Sequence, residues 1–367
     1  MSDQVLQDSS LQSKLPHELH ELIINELDGE EDALKQCALT CRLYRHLAQA
    51  LLFSSVVLQF LPGSKPAQKL LATLAQSPHL ANYVRCLSLR GNTTGHGHWF
   101  TTGDTPVPED NGIAEVLYAL VNVTRLYIGG VRPLRTIFPP LSPASMAMVH
   151  SKCQSVLHLT VEYIYDVPWT ILINSNSVEN LDLIDYGWVP APPANSQAVN
   201  AIIRNSAKSL KTIDATLSTN LPVLLHNDEP VFNVSALPLL EEISLTGAIL
   251  NSETDENISP INLHWLSKHL ETIPTSGRKF NKVSLHSVII GAHLVIEEEF
   301  DDKGLKYFED LVLNVLLPQT ISLSVKFSIW GPYHTQRAEI LVRQHLPALE
   351  ARNLLEFFTE PDASLES

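Results

Sequence analysis

Four cysteines in 367 residues are too few to staple a fold, so a disulfide scaffold is excluded. Cys37, Cys41, Cys86 and Cys153 read as free thiols of a reducing compartment. Basic residues are also scarce: 25 Lys and Arg stand against 40 Asp and Glu, a net charge of −15. No run of Lys or Arg interrupts that balance. It argues against nucleic-acid phosphates and anionic membranes as partners. No apolar run approaches the roughly 18 residues of a membrane span. The opening MSDQVLQDSSLQSK carries acids and no apolar core, so it does not read as a signal peptide. The expected setting is cytoplasmic or nuclear, where the sequons at Asn92, Asn122, Asn233 and Asn257 are chance.

Catalytic patterns are missing as well. There is no P-loop, no G-x-G-x-x-G, no G-x-S-x-G and no H-E-x-x-H. Cys37 and Cys41 are four apart, but no second Cys or His pair follows at zinc spacing, so buried thiols are the expectation. His96-Gly97-His98 is two histidines in a glycine loop, a weak metal signal. Glu297-Glu298-Glu299 with Asp301-Asp302 lacks the glycine and ligand spacing of a calcium loop. It reads as a solvated turn before a helix starting near Lys303, where acids favour the N-terminus. The chain is therefore expected to be no enzyme and to hold no cofactor or metal. The enzymatic rival would need converging His and carboxylate groups, for example around His96 or His264.

What is present is apolar: 44% of residues, against 18% charged, enough for a large core. Residues 1–13 are polar and read as disordered. From residue 15 three short helical patterns follow in about forty residues. Leu15-Pro16 opens the first, with Leu19, Leu22, Ile23 and Leu27 three and four apart. Asp28-Gly29 ends it, and Asp32 is the expected cap of the second, with Leu34, Cys37, Ala38 and Leu39. Thr40-Cys41 leads to a third through Tyr44, Leu47, Ala48, Leu51 and Leu52. Phe53 closes it, and Val56 to Leu58 read as a short strand. So small a unit is marginal alone. Its apolar stripe has two readings, an internal core or a face held open for a partner.

The residues LPHELHELIINEL and ALTCRLYRHLA resemble an F-box, most like those of fungal F-box proteins. The match rests on Leu15-Pro16 with Glu18-Leu19, on Ile23 and Leu27, and on the turn from Ala38 to Arg42. Leu47-Ala48 and Phe53 also fit. Tyr44 stands where the family usually has tryptophan, and it keeps a flat apolar surface. The resemblance covers residues 14–58, about an eighth of the chain. It implies a Skp adaptor as partner and, through it, a cullin–RING ubiquitin ligase. It also implies that Leu15, Pro16, Leu19, Ile23, Leu27, Leu39 and Tyr44 face the adaptor, while the rest of the chain chooses a protein substrate.

Beyond residue 58 a pattern recurs: an apolar residue, two variable ones, then an alternating apolar pair. Copies are Val84-x-x-Leu87-x-Leu89, Val123-x-x-Leu126-x-Ile128, Val156-x-x-Leu159-x-Val161 and Val178-x-x-Leu181-x-Leu183. Fainter ones begin at Leu210, Leu240 and Phe280, and Ile321 to Phe327 is a last strand. Helical patterns separate them, at 66–76, 113–120, 144–153, 197–206, 261–272, 303–316 and 337–358. The expected fold is α/β. A three-helix module at 14–58 precedes an irregular leucine-rich-repeat-like solenoid of parallel strands at 59–367, closed by the final helix as a cap. Loop aromatics Trp99, Phe100, Tyr186, Trp188 and Trp330 are either core residues or anchors for a bound protein. The rival without a ligase role is a repeat scaffold whose first helices only cap the sheet. That rival requires Leu19 and Ile23 to be buried against residues 55–90.

Overall fold

The computed structural model describes residues 15–59, 65–90, 112–129, 136–137, 142–162, 164–165, 172, 175–184, 193–219, 233–250, 261–274, 279–290, 302–330 and 335–359. Residues 1–13, the histidines at 96 and 98, the aromatics at 99, 100, 186 and 188 and the acids at 297–301 lie outside them.

Three helices come first: α1 (His17–Asn25), α2 (Glu31–Thr40) and α3 (Arg42–Leu52). Pro16 stands just ahead of α1, at its N-cap, where a fixed φ and a missing N–H are tolerated. Gly29, at φ +91°, turns the chain between α1 and α2 through a region that a side chain resists. Asp32 does not cap α2. Glu30 holds the N-cap without a side-chain bond, and Asp32 lies in the first turn, where its charge faces the positive end of the helix dipole. Cys41 separates α2 from α3, and its Sγ accepts the Tyr44 N–H at 3.5 Å. Ile24, Leu34 and Ala48 form the centre of this unit, with Leu27, Cys37, Ala38, Tyr44, Leu47, Leu51 and Leu52 packed around them.

The rest alternates. In chain order it runs β1 (Ser55–Gln59), α4 (Pro66–Gln76), β2 (Cys86–Arg90), α5 (Ile113–Ala119), β3 (Arg125–Gly129), β4 (Thr136–Ile137), α6 (Pro143–Cys153), β5 (His158–Glu162) and β6 (Ile164–Tyr165). It continues with β7 (Asn180–Ile184), α7 (Pro193–Asn205), β8 (Thr212–Thr219), β9 (Glu242–Leu250), α8 (Ile261–Glu271), β10 (Phe280–Ile290), α9 (Asp302–Leu311) and β11 (Thr320–Trp330). The last elements are α10 (Thr335–His345), α11 (Pro347–Glu350) and β12 (Leu355–Thr359). Ten strands make one sheet in the order β1-β2-β3-β5-β7-β8-β9-β10-β11-β12, while β4 and β6 pair apart. Every pairing is parallel. The chain is thus an α/β protein whose strands are laid down in sequence order. The boundary drawn at residue 58 falls inside β1.

The recurring sequence pattern has a direct structural meaning. Its alternating apolar pair supplies the two inward residues of each strand, in register with the next. One row runs Leu58, Leu89, Ile128, Val161, Leu183, Ala215, Leu245, Leu285, Val325, Leu355. All ten are buried in a single apolar cluster. The leading apolar residue of each copy, such as Val84, Val123, Val156 and Val178, is buried just before its strand. A backbone motif repeats with it. The carbonyls of Ser54, Arg85, Thr124, Leu157, Glu179, Lys211 and Glu241 each accept two successive N–H groups at the entry to the next strand. α4 packs on α5, α5 on α6, α8 on α9 and α9 on α10. A sequential parallel sheet with right-handed crossovers puts its helices on one face in this way. Cys153, at the end of α6, is sealed in this layer, and burial pushes its thiol up to about 12.

The C-terminal end departs from expectation. Residues 337–358 are not one capping helix. Pro347 cannot donate to a continuing helix, so α10 stops and α11 makes a single turn. Asn353, at φ 53°, then reverses the chain into β12, a tenth strand beyond the expected last one. Leu355 completes the buried row. Arg343 ties the pieces: it contacts Glu339 at 2.8 Å, pairs with Glu350 and lies 4.3 Å over the Phe357 ring. Glu309 of α9, itself buried, accepts the N–H groups of Ala348 at 2.7 Å and Leu349 at 3.0 Å. Removing it orphans two donors at the start of α11, that of Leu349 buried and that of Ala348 half-buried. Glu309→Ala is expected to lose about 2–3 kcal/mol in urea unfolding. Glu309→Gln, which keeps an acceptor oxygen, is expected to lose less.

Candidate functional site

Among the described residues two surfaces stand out once the core is filled. The first lies on the opening helices. Leu15 (47% exposed), Leu19 (42%), Ile23 (48%) and Leu39 (74%) all face solvent, and Pro16 is exposed beside them. At 100° per residue, Leu19, Leu22 and Ile23 span an arc of about 100° on α1. Ile24, the next residue, points the other way and is buried. The helical unit therefore closes its own core and still leaves leucine and isoleucine in water.

Two of the seven proposed adaptor-facing residues sit differently. Leu27 and Tyr44 are half-buried and pack on the inner cluster. Tyr44 also meets His20, ring edge to ring at 5.4 Å with a 3.2 Å hydrogen bond. Leu22, at 58% exposure, belongs to the outward arc although the resemblance does not single it out. Its signal was present: three residues after Leu19 and one before Ile23, it shares their face. Leu39 sits near the end of α2, on a different helix from the others.

Contacts from α3 onward join this unit to the sheet. Tyr83 hydrogen-bonds His46 at 2.6 Å, His79 meets Gln49 at 3.4 Å, and Phe53 packs into the large core.

The second surface is the sheet face opposite the buried rows. It is polar. Arg90 lies 5.3 Å over the Tyr127 ring, and Tyr127 donates to Glu162 at 2.6 Å. Thr160 donates to Asp182 at 2.9 Å. Asp182 and Asp214 stand directly opposite on β7 and β8. Farther on, His286 and Lys326 are opposite on β10 and β11. His286 shares a 2.8 Å hydrogen bond with Ser328. Lys326 pairs with Glu356 at 3.3 Å and lies 5.3 Å over Phe358. Burial, and then Lys326, lowers the His286 pKa. Burial is also the main reason that Asp214 holds its proton above the ordinary carboxylate value. A hydrogen bond from Ser244 opposes that shift, Asp182 adds to it, and Lys282 opposes it.

Asp214 therefore makes a stability prediction with a definite sign. The folded state binds its proton more tightly than the unfolded state does. Stability falls as pH rises through the folded pKa, and at neutral pH the ionised side chain is a cost. Asp214→Asn is expected to raise the melting temperature at pH 7. The gain should vanish near pH 3, where both states carry the proton.

Among the described residues no group of three or more His, Cys, Asp or Glu is arranged to hold a metal. Cys37 lies half-buried against the helical core. Among the described residues no helix is long and apolar enough to cross a membrane. His264 falls in α8, with its side chain outside what is described, as is that of Trp330. No protein-family model matches the chain, and no curated protein is significantly similar to it.

Proposed function

We propose that this chain is the substrate-recognition subunit of a cullin–RING (SCF-type) ubiquitin ligase. Its first three helices act as an F-box-type module that docks a Skp adaptor. The strand-and-helix repeats behind them act as a leucine-rich-repeat-like solenoid that holds a protein target. The chain does no bond chemistry itself; it raises the concentration of target near the ubiquitin-charged enzyme. One observation carries the reading: Leu15, Leu19, Leu22, Ile23 and Leu39 remain exposed on a helical unit whose own core is already closed. Solvated apolar side chains that share one arc of a helix, as Leu19, Leu22 and Ile23 do, favour an interface. A repeat scaffold whose first helices merely cap the sheet would bury Leu19 and Ile23, and both are more than two-fifths exposed. The test is co-expression of the full chain with a Skp adaptor. Stoichiometric co-elution is expected, and separate elution of two folded proteins would remove the ligase reading.

A further inference from the structure

We infer that the open edge of β12 pairs with β12 of a second copy of this chain, antiparallel about a twofold axis, so that two sheets join into one. This goes beyond the receptor reading and does not depend on it.

β12 ends the strand order and has β11 on one side only. Val325 donates to the Leu354 carbonyl at 3.3 Å, and the parallel register then turns the backbone groups of Glu356 and Phe358 toward β11. Those of Leu355 and Phe357 point the other way. Among the described residues nothing bonds to them. Unpaired N–H and C=O groups along an edge are a template for one more strand. Charged side chains are the usual protection of such an edge. Glu356 is the only one β12 has, and Lys326 neutralises it at 3.3 Å. Phe358, on the same face, is left 47% exposed.

Register and charge select the occupant. Two identical chains close on each other through a twofold axis. An axis normal to the sheet makes the two edges antiparallel and keeps each face on its own side. Two registers give the free groups of Leu355 and Phe357 their partners. With the axis at Glu356, the two Glu356 side chains stand directly opposite, where like charges destabilise. With the axis at Phe357, that residue exchanges both bonds with its own copy. Glu356 then stands opposite Phe358 of the second copy, in the closer kind of antiparallel pair, about 4.5 Å apart at Cα. Lys326 lies 5.3 Å over the Phe358 ring. Each Lys326 therefore comes between two carboxylates, its own Glu356 and that of the second copy. In this register the edge complements itself in charge, and the exposed phenyl ring gains a neighbour. The strand has five residues. That is a small contact beside the roughly 1,200–2,000 Å² of stable interfaces, so the dimer is a weak one that forms at micromolar concentrations or above.

The test is sedimentation velocity of the full chain across about 1–200 µM. The average mass is expected to climb from one chain toward two. Phe358→Glu sets a carboxylate against Glu356 of the second copy at both ends of the pairing. In the single chain it is an exposed change beside Lys326. It is expected to weaken the dimer about tenfold. Adding Glu356→Lys makes the opposed charges unlike, and dimerisation should return. Thermal melts confirm that each variant folds. Leu19→Asp with Ile23→Asp should leave the dimer unchanged, and loss of the dimer there would place the contact on α1 and overturn the proposal. A chain that stays single across the range leaves the edge to a strand of some other protein and overturns it too. So does a Phe358→Glu chain that pairs like the parent, or a folded double variant that fails to recover, because charge set the register.

Discussion

Leu19→Asp combined with Ile23→Asp is expected to abolish capture of a Skp adaptor while the chain stays folded. Both side chains lie on the outward arc of α1 and are 42% and 48% exposed, so each change costs the fold no more than about 0.5 kcal/mol. At an interface the same residues would be central apolar anchors, and such anchors are worth about 2 kcal/mol or more each. A buried, unpaired carboxylate adds a desolvation penalty to the lost contact. Together the two changes are expected to weaken binding by at least about a thousandfold, since every 1.4 kcal/mol is a factor of ten. The measurement is calorimetric titration with the adaptor, beside far-ultraviolet circular dichroism. Ile24→Asp is the contrast. It lies one residue farther along the helix but faces Leu34 and Ala48, so it should unfold the helical unit. If the double variant binds as the parent does, the docking face has been misplaced.

The arc on α1 and the core of the same helix illustrate what periodicity reveals and what it leaves open. Leu15, Leu19, Leu22, Ile23 and Leu27 were legible as one stripe. Spacing alone could not divide them, because Ile23 and Ile24 differ only by 100° of rotation. The division comes from where α3 lies, a tertiary fact. Tyr44 is a similar case: its position in the resemblance points to a partner, yet His20 and the inner cluster hold one side of it.

The repeats were more legible than the helices. Seven copies of the apolar pattern fell on strands, because a strand buried on one face must repeat every second residue. The tenth strand was missed for a physical reason. Leu354, Leu355, Phe357 and Phe358 directly follow an amphipathic helix, and together they mimic its continuation. Only Pro347 and the left-handed Asn353 mark the break. The polar face was written in the sequence too, at the residue between each apolar pair. Ser88, Tyr127, Thr160, Asp182, Asp214, Ser244 and Ser284 are those residues. Read one copy at a time they look like spacers. Register aligns them into a surface, and register is set by the sheet.

Leu183→Ala is expected to cost about 2–5 kcal/mol of stability, a large share of the 5–15 kcal/mol that keeps a typical domain folded. Leu183 lies mid-row, between Val161 on β5 and Ala215 on β8, and is fully buried. Ala215 already supplies a short side chain on one side. The void left by truncation therefore borders a residue that cannot reach into it, and the strand backbones are fixed by neighbours on both sides. Little relaxation is open to the site, which places the cost toward the upper part of that range. The comparison is Asp182→Ala, one residue earlier on the same strand but on the polar face. That change removes one carboxylate of a repelling pair and no core atoms, so stability should stay level or rise. Urea midpoints of the two variants should move in opposite directions, or one should move alone. A loss of similar size in both would mean that the alternation of β7 does not separate a core face from a polar face, and the row would have to be redrawn.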